Sequence, residues 1–216
     1  MNIAKGGWSW LLSAYGAMWI SVGSALLLGS GFLHDVLMLV SLFFIMLCFF
    51  FIVFFRDPKR MISDGVVAVA DGVIRELTVE YDEDAGECYK VSTFLNLYNV
   101  HVTRIPFEGS ITMIKHIEGS HIPAFRKDSY RNERVIIKLD TVIGCIKIIM
   151  IAGTIARRII PYIKEGDRVK KGDKIGLIRL GSRVDIYLPS KMVRELKVKK
   201  GSKVKAGVDS IADVVS

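Results

Sequence analysis

The sequence predicts a mainly β protein: a polar domain built as a β-sandwich, of the barrel-sandwich kind, behind an N-terminal transmembrane hairpin of two apolar helices. Three observations carry that expectation. Two apolar runs, Trp8 to Leu28 and Leu33 to Phe55, precede almost every charge in the chain. Short β-branched runs punctuated by Asp-Gly pairs follow them, which is the spacing of strands and turns. Near the C-terminus the stretch Gly166-Asp167-Arg168-Val169-Lys170-Lys171-Gly172 returns as Gly201-Ser202-Lys203-Val204-Lys205-Ala206-Gly207, so one supersecondary unit is used twice.

Each apolar run is long enough to cross the roughly 30 Å hydrocarbon core as a helix. The second is nearly unbroken. The first is diluted by Ser, Gly and Tyr and either spans or lies shallow, with Gly29-Ser30-Gly31 as the turn between them. Up to Phe55 the only charged residues are Lys5 and Asp35, so the whole net charge of +8 lies after that point. A cleaved signal peptide is the rival reading. It is disfavoured because no small-residue cleavage site precedes a polar chain and the second run ends in basic residues. Lys5 stands before the hairpin, Arg56, Lys59 and Arg60 follow it, and the turn has no Lys or Arg. The positive-inside rule then puts both ends in the cytoplasm. The expectation is residues 1–55 as a hairpin in the cell membrane and residues 56–216 as a domain on its cytoplasmic side, drawn by charge to the anionic leaflet. No recognition helix or RNP-like aromatic motif is present, so no nucleic-acid partner is expected. Cys48, Cys88 and Cys145 form no CxxC spacing. They are neither a disulfide framework nor a zinc site, which points to a reducing compartment and no metal.

In the polar domain, Asp64-Gly65 and Asp71-Gly72 are turn signals around Val66 to Val69 and a strand from Val73. Glu80 to Glu87 reads as a solvated acidic loop. Phe94 to Val102 alternates, with Tyr98, Val100 and Val102 on one face and Asn99, His101 and Thr103 on the other. His101 is therefore either a surface or hydrogen-bonded structural histidine or a proton-transfer group. His34, His116 and His121 have no metal-ligand partner at helical spacing. Ser110 to His116 reads as a strand, and Val135 to Leu139 and Val142 to Ile151 as buried strands. The basic stretch Gly119 to Arg134 is either a solvated loop or a flap that meets a phosphodiester. Arg157 and Arg158 offer forks suited to phosphate or carboxylate, and are equally a plain surface pair. A strand from Gly176 to Leu180 runs into Gly181-Ser182 and a second strand ending at Pro189. This is one of six Gly-Ser dipeptides, and by itself such a pair is an ordinary turn.

The duplicated hairpin gives one rival function. Biotinyl and lipoyl carrier domains are small sandwiches of quasi-equivalent halves, so a membrane-anchored carrier or adaptor fits the architecture. A carrier needs its modified lysine at a tight hairpin tip, usually beside Met or Asp, and Lys170, Lys171 and Lys174 lack that setting.

Taken together, several motifs are more specific. They are Phe54-Phe55-Arg56-Asp57-Pro58 after an apolar run, Ala70-Asp71-Gly72-Val73-Ile74, and Tyr98-Asn99-Val100-His101-Val102-Thr103-Arg104-Ile105-Pro106. Arg131-Asn132-Glu133-Arg134, Gly153-Thr154-Ile155-Ala156-Arg157-Arg158 and Leu180-Gly181-Ser182-Arg183-Val184-Asp185-Ile186-Tyr187-Leu188-Pro189 complete the set. From Phe54 to about Pro189 the chain resembles the short phosphatidylserine decarboxylase proenzymes, which depend on a pyruvoyl group. The resemblance implies self-cleavage between Gly181 and Ser182 into a long chain 1–181 and a short chain 182–216 that stay associated. It implies a covalent pyruvoyl cofactor made from Ser182, which forms a Schiff base with phosphatidylserine in the membrane and releases carbon dioxide and phosphatidylethanolamine. His101 would be the base that activates Ser182, Asp71 would hold His101 in orientation as in an Asp-His-Ser triad, and Arg157 and Arg158 would meet the headgroup. The exact lipid, including archaeal-type tails, and any homo-oligomer stay open. A membrane-tethered serine hydrolase using Ser182, His101 and Asp71 on an external ester is the enzymatic rival.

Overall fold

The computed structural model describes residues 2–120, 131–153, 159–179 and 182–215. The chain divides into two compact units, Met1–Pro58 and Lys59–Ser216.

In the first unit the apolar runs form helices α1 (Trp8–Leu28) and α2 (Phe32–Phe54). Both are long and apolar enough to cross a membrane. Gly29 and Gly31, at φ +70° and +110°, make the reversal between them, a conformation open to glycine and strained for other residues. The helices are tied by Ser21 and Ser41, whose hydroxyls lie 2.9 Å apart. One hydroxyl donates to the other, and the second donates to a carbonyl of its own helix, with Met18 O near Ser21 Oγ and Leu37 O near Ser41 Oγ, each at 2.8 Å. Short strands β1 (Asn2–Ile3) and β2 (Arg56–Asp57) pair and close the base of the hairpin.

The second unit is all β, as expected. Its strands are β3 (Val66–Val67), β4 (Gly72–Asp82), β5 (Gly86–Leu95), β6 (Val102–Arg104), β7 (Gly109–Ile117), β8 (Arg134–Thr141), β9 (Gly144–Ala152), β10 (Ile159–Pro161), β11 (Arg168–Val169), β12 (Lys174–Ile178), β13 (Ser182–Pro189), β14 (Val193–Leu196), β15 (Lys203–Val204) and β16 (Ser210–Val214). They build an eight-stranded sheet in the order β11-β7-β8-β9-β13-β5-β4-β15 and two three-stranded sheets, β10-β12-β6 and β14-β16-β3. Ile74, Leu95, Ile137, Leu139, Ile146, Ile148, Ile175 and Ile178 are among the fully buried side chains of the core between them.

The strand orders reveal two quasi-equivalent halves. One is β6 to β12. The other is β3, β4, β5 and then β13 to β16. Each pairing in one half has a counterpart in the other: β7·β8 matches β4·β5, β8·β9 matches β5·β13, and β11·β7 matches β15·β4. The repeated hairpins dock identically. Gly166 N–H donates to Ile111 O and Gly201 N–H to Ile74 O, while Gly172 N–H donates to Ile105 O and Gly207 N–H to Ala68 O. These four glycines have positive φ, between +74° and +91°, which explains why glycine frames both copies.

The first half is inserted into the second. In the inserted half, β8 turns into β9 through Val142 and Ile143, with Thr141 opposite Gly144. In the host half, β5 ends at Leu95, the chain leaves to build all of β6 to β12, and it returns at Ser182, directly opposite Leu95. Ser182 thus occupies the place that Gly144 fills in the uninterrupted copy.

Two expectations are corrected. The alternating strand through Phe94 to Val102 stops at Leu95. Asn96 to His101 form a turn, because Asn99 Oδ1 accepts the Asn96 N–H at 2.8 Å and the Asn99 N–H donates back to Asn96 O at 3.0 Å. Asparagine side chains compete with strand pairing in this way. His101 is consequently fully buried rather than on a polar strand face. The acidic stretch Glu80 to Glu87 is the β4–β5 hairpin, and Asp82 in it is ion-paired with Lys147 at 2.6 Å.

Candidate active site

The interruption between Leu95 and Ser182 organises the site. Ser182 opens β13 between two neighbours, with Leu95 of β5 on one side and Ala152 of β9 on the other. It is 0 % exposed, and its Oγ has no hydrogen-bond partner among the described residues. A buried hydroxyl left unpaired costs about 1–3 kcal/mol. Structure alone would favour alanine at that position. Gly181, the other half of the dipeptide, lies outside the described residues, as do Arg157 and Arg158.

His101 sits where the chain enters the inserted half, as Ser182 sits where it leaves. Its carbonyl accepts the Ile178 N–H at 3.2 Å, so its backbone is held by β12, the last strand before Ser182. Its Nδ1 lies 2.9 Å from Asn99 O. A carbonyl can only accept, so Nδ1 carries the hydrogen and Nε2 holds the basic lone pair. The neighbouring Thr103, also fully buried, donates to Gly176 O at 3.2 Å. No hydrogen bond joins Ser182 to His101 in this structure.

Asp71 is buried in the turn before β4. Its Oδ2 meets Arg60 Nη2 at 2.8 Å, and its Oδ1 accepts the Ala206 N–H at 2.8 Å. Both carboxylate oxygens are therefore engaged away from His101. The Nδ1 side of the imidazole faces the Asn99 carbonyl; the orienting role expected of Asp71 stays a proposal. Asp71 fastens the β3–β4 turn to the second repeated hairpin. Gly72, beside it, passes so close to β5 that a Cβ would lie 2.2 Å from Phe94 O.

Two polar groups around Ser182 had no assigned role in the sequence. Asn132, fully buried, donates from Nδ2 to Ala152 O at 2.8 Å, and its Oδ1 accepts from Ser120 Oγ. Glu133 O accepts the Ala152 N–H, and its Oε1 lies 2.9 Å from His116 Nε2. Together they fix Ala152, the residue opposite Ser182. The run Arg131 to Arg134 was the available signal, since two polar residues immediately before a buried strand need partners.

The second group lies on the other face of β13. Arg183 Nε donates to Asp185 Oδ1 at 2.6 Å, and Nη2 reaches Glu76 Oε2 and Ser92 Oγ. Burial works against the charge of Arg183, but the Asp185 carboxylate, and Glu76 with it, hold its pKa above the ordinary value. Asp185 is only 3 % exposed, so Arg183→Met strands a buried carboxylate. The expected loss is about 3–5 kcal/mol, read by urea unfolding of the full chain in detergent. Arg183→Met with Asp185→Leu should recover most of it. A loss below 1 kcal/mol in the single variant would mean that the pair is not a buried clamp.

Comparison with known proteins bears on this geometry. Residues 47–212 match the family model described as phosphatidylserine decarboxylase. A Streptomyces avermitilis relative named phosphatidylserine decarboxylase proenzyme is 47 % identical over 159 residues, covering 73 % of this chain and 71 % of the relative. A relative of the same name from Thermobifida fusca is 45 % identical over 155 residues, or 71 % of this chain and 69 % of its own. A Methanococcoides burtonii relative, provisionally named archaetidylserine decarboxylase proenzyme, is 37 % identical over 213 residues, 97 % of this chain and 95 % of its own.

Proposed function

The chain belongs to the phosphatidylserine decarboxylase family, and from that premise we propose that it cuts itself at Gly181-Ser182 and decarboxylates phosphatidylserine at a membrane surface. It is a decarboxylase made as a proenzyme. The carrier and hydrolase readings find no support in this family. The observation that carries the assignment is Ser182 itself. It is a fully buried hydroxyl with no hydrogen-bond partner among the described residues, placed where the quasi-repeat is interrupted.

In the self-cleavage step, Ser182 Oγ attacks the Gly181 carbonyl carbon. A C–O bond forms as the Gly181–Ser182 C–N bond breaks, and the chain passes from amide to ester. His101 Nε2 takes the hydroxyl proton and delivers it to the departing Ser182 nitrogen, with its tautomer set by the Nδ1–H···O=C bond to Asn99. Loss of the ester by elimination and hydrolysis of the resulting dehydroalanine leave the pyruvoyl group on the short chain and release ammonia. A pyruvoyl group fits here because Ser182 is fully buried and no group among the described residues claims its hydroxyl first. When formed, that group supplies a carbonyl that takes up the substrate amine and draws electrons from Cα as carbon dioxide leaves.

The remaining residues position. Asn132 and Glu133 hold the strand facing Ser182, and Asp71 holds the turn beside β5. Arg157 and Arg158 are the proposed phosphate contacts. After the cut, β13 still lies at the centre of the eight-stranded sheet between β9 and β5, so the 1–181 and 182–216 fragments stay together. Arg56, Lys59 and Arg60 after α2 support the reading that the catalytic unit lies on the cytoplasmic side.

The test is release of carbon dioxide and formation of the ethanolamine lipid from phosphatidylserine vesicles by the full chain. A matched vesicle with archaeal-type tails on the same headgroup distinguishes the two lipid classes. A fully cut chain that releases no carbon dioxide from either would overturn the assignment.

A further inference from the structure

We propose that the catalytic unit docks directly on an anionic lipid surface through the Leu97–Tyr98 turn and a lysine rim formed by Lys199, Lys200 and Lys203. The inference rests on the reading that the substrate is a membrane phospholipid. It adds a second membrane contact, separate from the apolar helices.

The turn projects an apolar tip beside the site. Leu97 is 40 % and Tyr98 82 % exposed, and the turn leaves β5 one residue after Leu95, the partner of Ser182. The tip is a defined shape, because Asn96 and Asn99 bond to each other across its base. Tyrosine combines an apolar ring with a polar end, and it is enriched at membrane interfaces for that reason.

The rim lies at the same end of the sheet. Lys203 pairs with Val73, and Val73 pairs with Phe94, the residue before Leu95. Gly201 N–H donates to Ile74 O, which brings Lys199 and Lys200 to that edge. All three lysines are exposed.

The duplicated hairpin supplies an internal control. Its other copy reads Lys164-Glu165-Gly166-Asp167-Arg168, with acids among the bases. The copy near the site reads Lys199-Lys200-Gly201-Ser202-Lys203, with none. The two copies make the same backbone bonds. Asp167 Oδ2 accepts the Lys164 N–H, and Ser202 Oγ accepts the Lys199 N–H in the matching place. At the Asp167/Ser202 position the fold works with either residue, and Glu165 Oε1 accepts the Ile114 N–H at 2.7 Å, a bond that Lys200 in the matching place cannot make, so the acid-free copy beside the site gains nothing structural from its lysines. A basic rim around an apolar, aromatic tip is the composition of a surface that binds anionic lipid.

The experiment places a photoreactive benzophenone side chain at position 98 of the full chain, reconstituted in vesicles of phosphatidylcholine with or without phosphatidylglycerol. The control position is 142, 86 % exposed at the corresponding turn of the other half. After illumination, mass spectrometry should find lipid adducts at 98 at least about tenfold above those at 142. The excess should fall by about tenfold without phosphatidylglycerol, or in K199E/K200E/K203E. K199Q/K200Q/K203Q, a milder change, should give the same direction if the triple reversal fails to fold. Equal adducts at 98 and 142, or adducts at 98 indifferent to both the lipid charge and the lysines, would overturn the proposal. These vesicles hold no serine lipid, so the readout does not depend on decarboxylation. Failure of the enzymatic assignment would appear separately, as no carbon dioxide from phosphatidylserine vesicles.

Discussion

Ser182→Ala yields one uncut chain and no decarboxylation. Both losses should be complete, because the proposal makes this hydroxyl the attacking group of the cut and the source of the cofactor. The fold should be intact or slightly more stable, since the substitution removes a buried hydroxyl that has no partner among the described residues, worth about 1–3 kcal/mol. Gel mobility, carbon dioxide release and the unfolding midpoint read the three effects separately. An uncut chain with a lowered midpoint would instead mark Ser182 as a packing residue. A cut chain would remove it from the mechanism.

His101→Ala has the second largest effect. Self-cleavage slows by about 10²–10⁴-fold, the usual worth of a positioned base, and is followed as uncut chain remaining with time. The structure makes a sharper comparison available. If Asp71 oriented His101 as in a triad, Asp71→Asn would cost about 10⁴-fold. Here the Asn99 carbonyl sets the tautomer, and Asp71 bonds Arg60 and the Ala206 N–H. Asp71→Asn should therefore slow cleavage at least about tenfold less than His101→Ala, and should lower stability by about 1–3 kcal/mol through the lost buried contacts. Equal slowing by the two substitutions would support the triad arrangement instead.

The contrast between these residues shows what was legible in the sequence. The helical hairpin is a matter of length and apolarity, and α1 and α2 begin and end within one residue of the apolar runs. The repeated hairpin is visible because its positive-φ glycines are fixed in spacing. The rest of the duplication is not visible. β4 and β7 share little beyond a glycine and an isoleucine two residues on, Gly72 with Ile74 and Gly109 with Ile111, because a strand position asks only for an apolar side chain of suitable shape. That one half is inserted into the other follows only from which strands pair. Local motifs single out Ser182 and His101 as candidates, but not the burial of His101, since the Asn96–Asn99 turn breaks an otherwise good alternation. The partners of Asp71 are 11 and 135 residues away in sequence, and no local pattern encodes such contacts. Arg183 and Asp185 have the period-2 spacing of neighbours on one strand face, yet their shared burial depends on what covers that face.

The insertion also gives a physical account of why the cut is tolerated. The proposed cut lies where the interrupted copy resumes, at the first residue of β13, so the new end at Ser182 stays registered between Leu95 and Ala152. All six register pairs between β13 and β9, and the eight between β13 and β5, remain available to hold the fragments together.

The most direct test of the central claim is intact mass under denaturing conditions, on purified protein that releases carbon dioxide from phosphatidylserine. The account predicts two fragments divided between residues 181 and 182. The shorter should lack an N-terminal amine and react with a hydrazide at its new carbonyl. A single uncut chain in active protein, or a short fragment beginning with an ordinary serine amine, would contradict it.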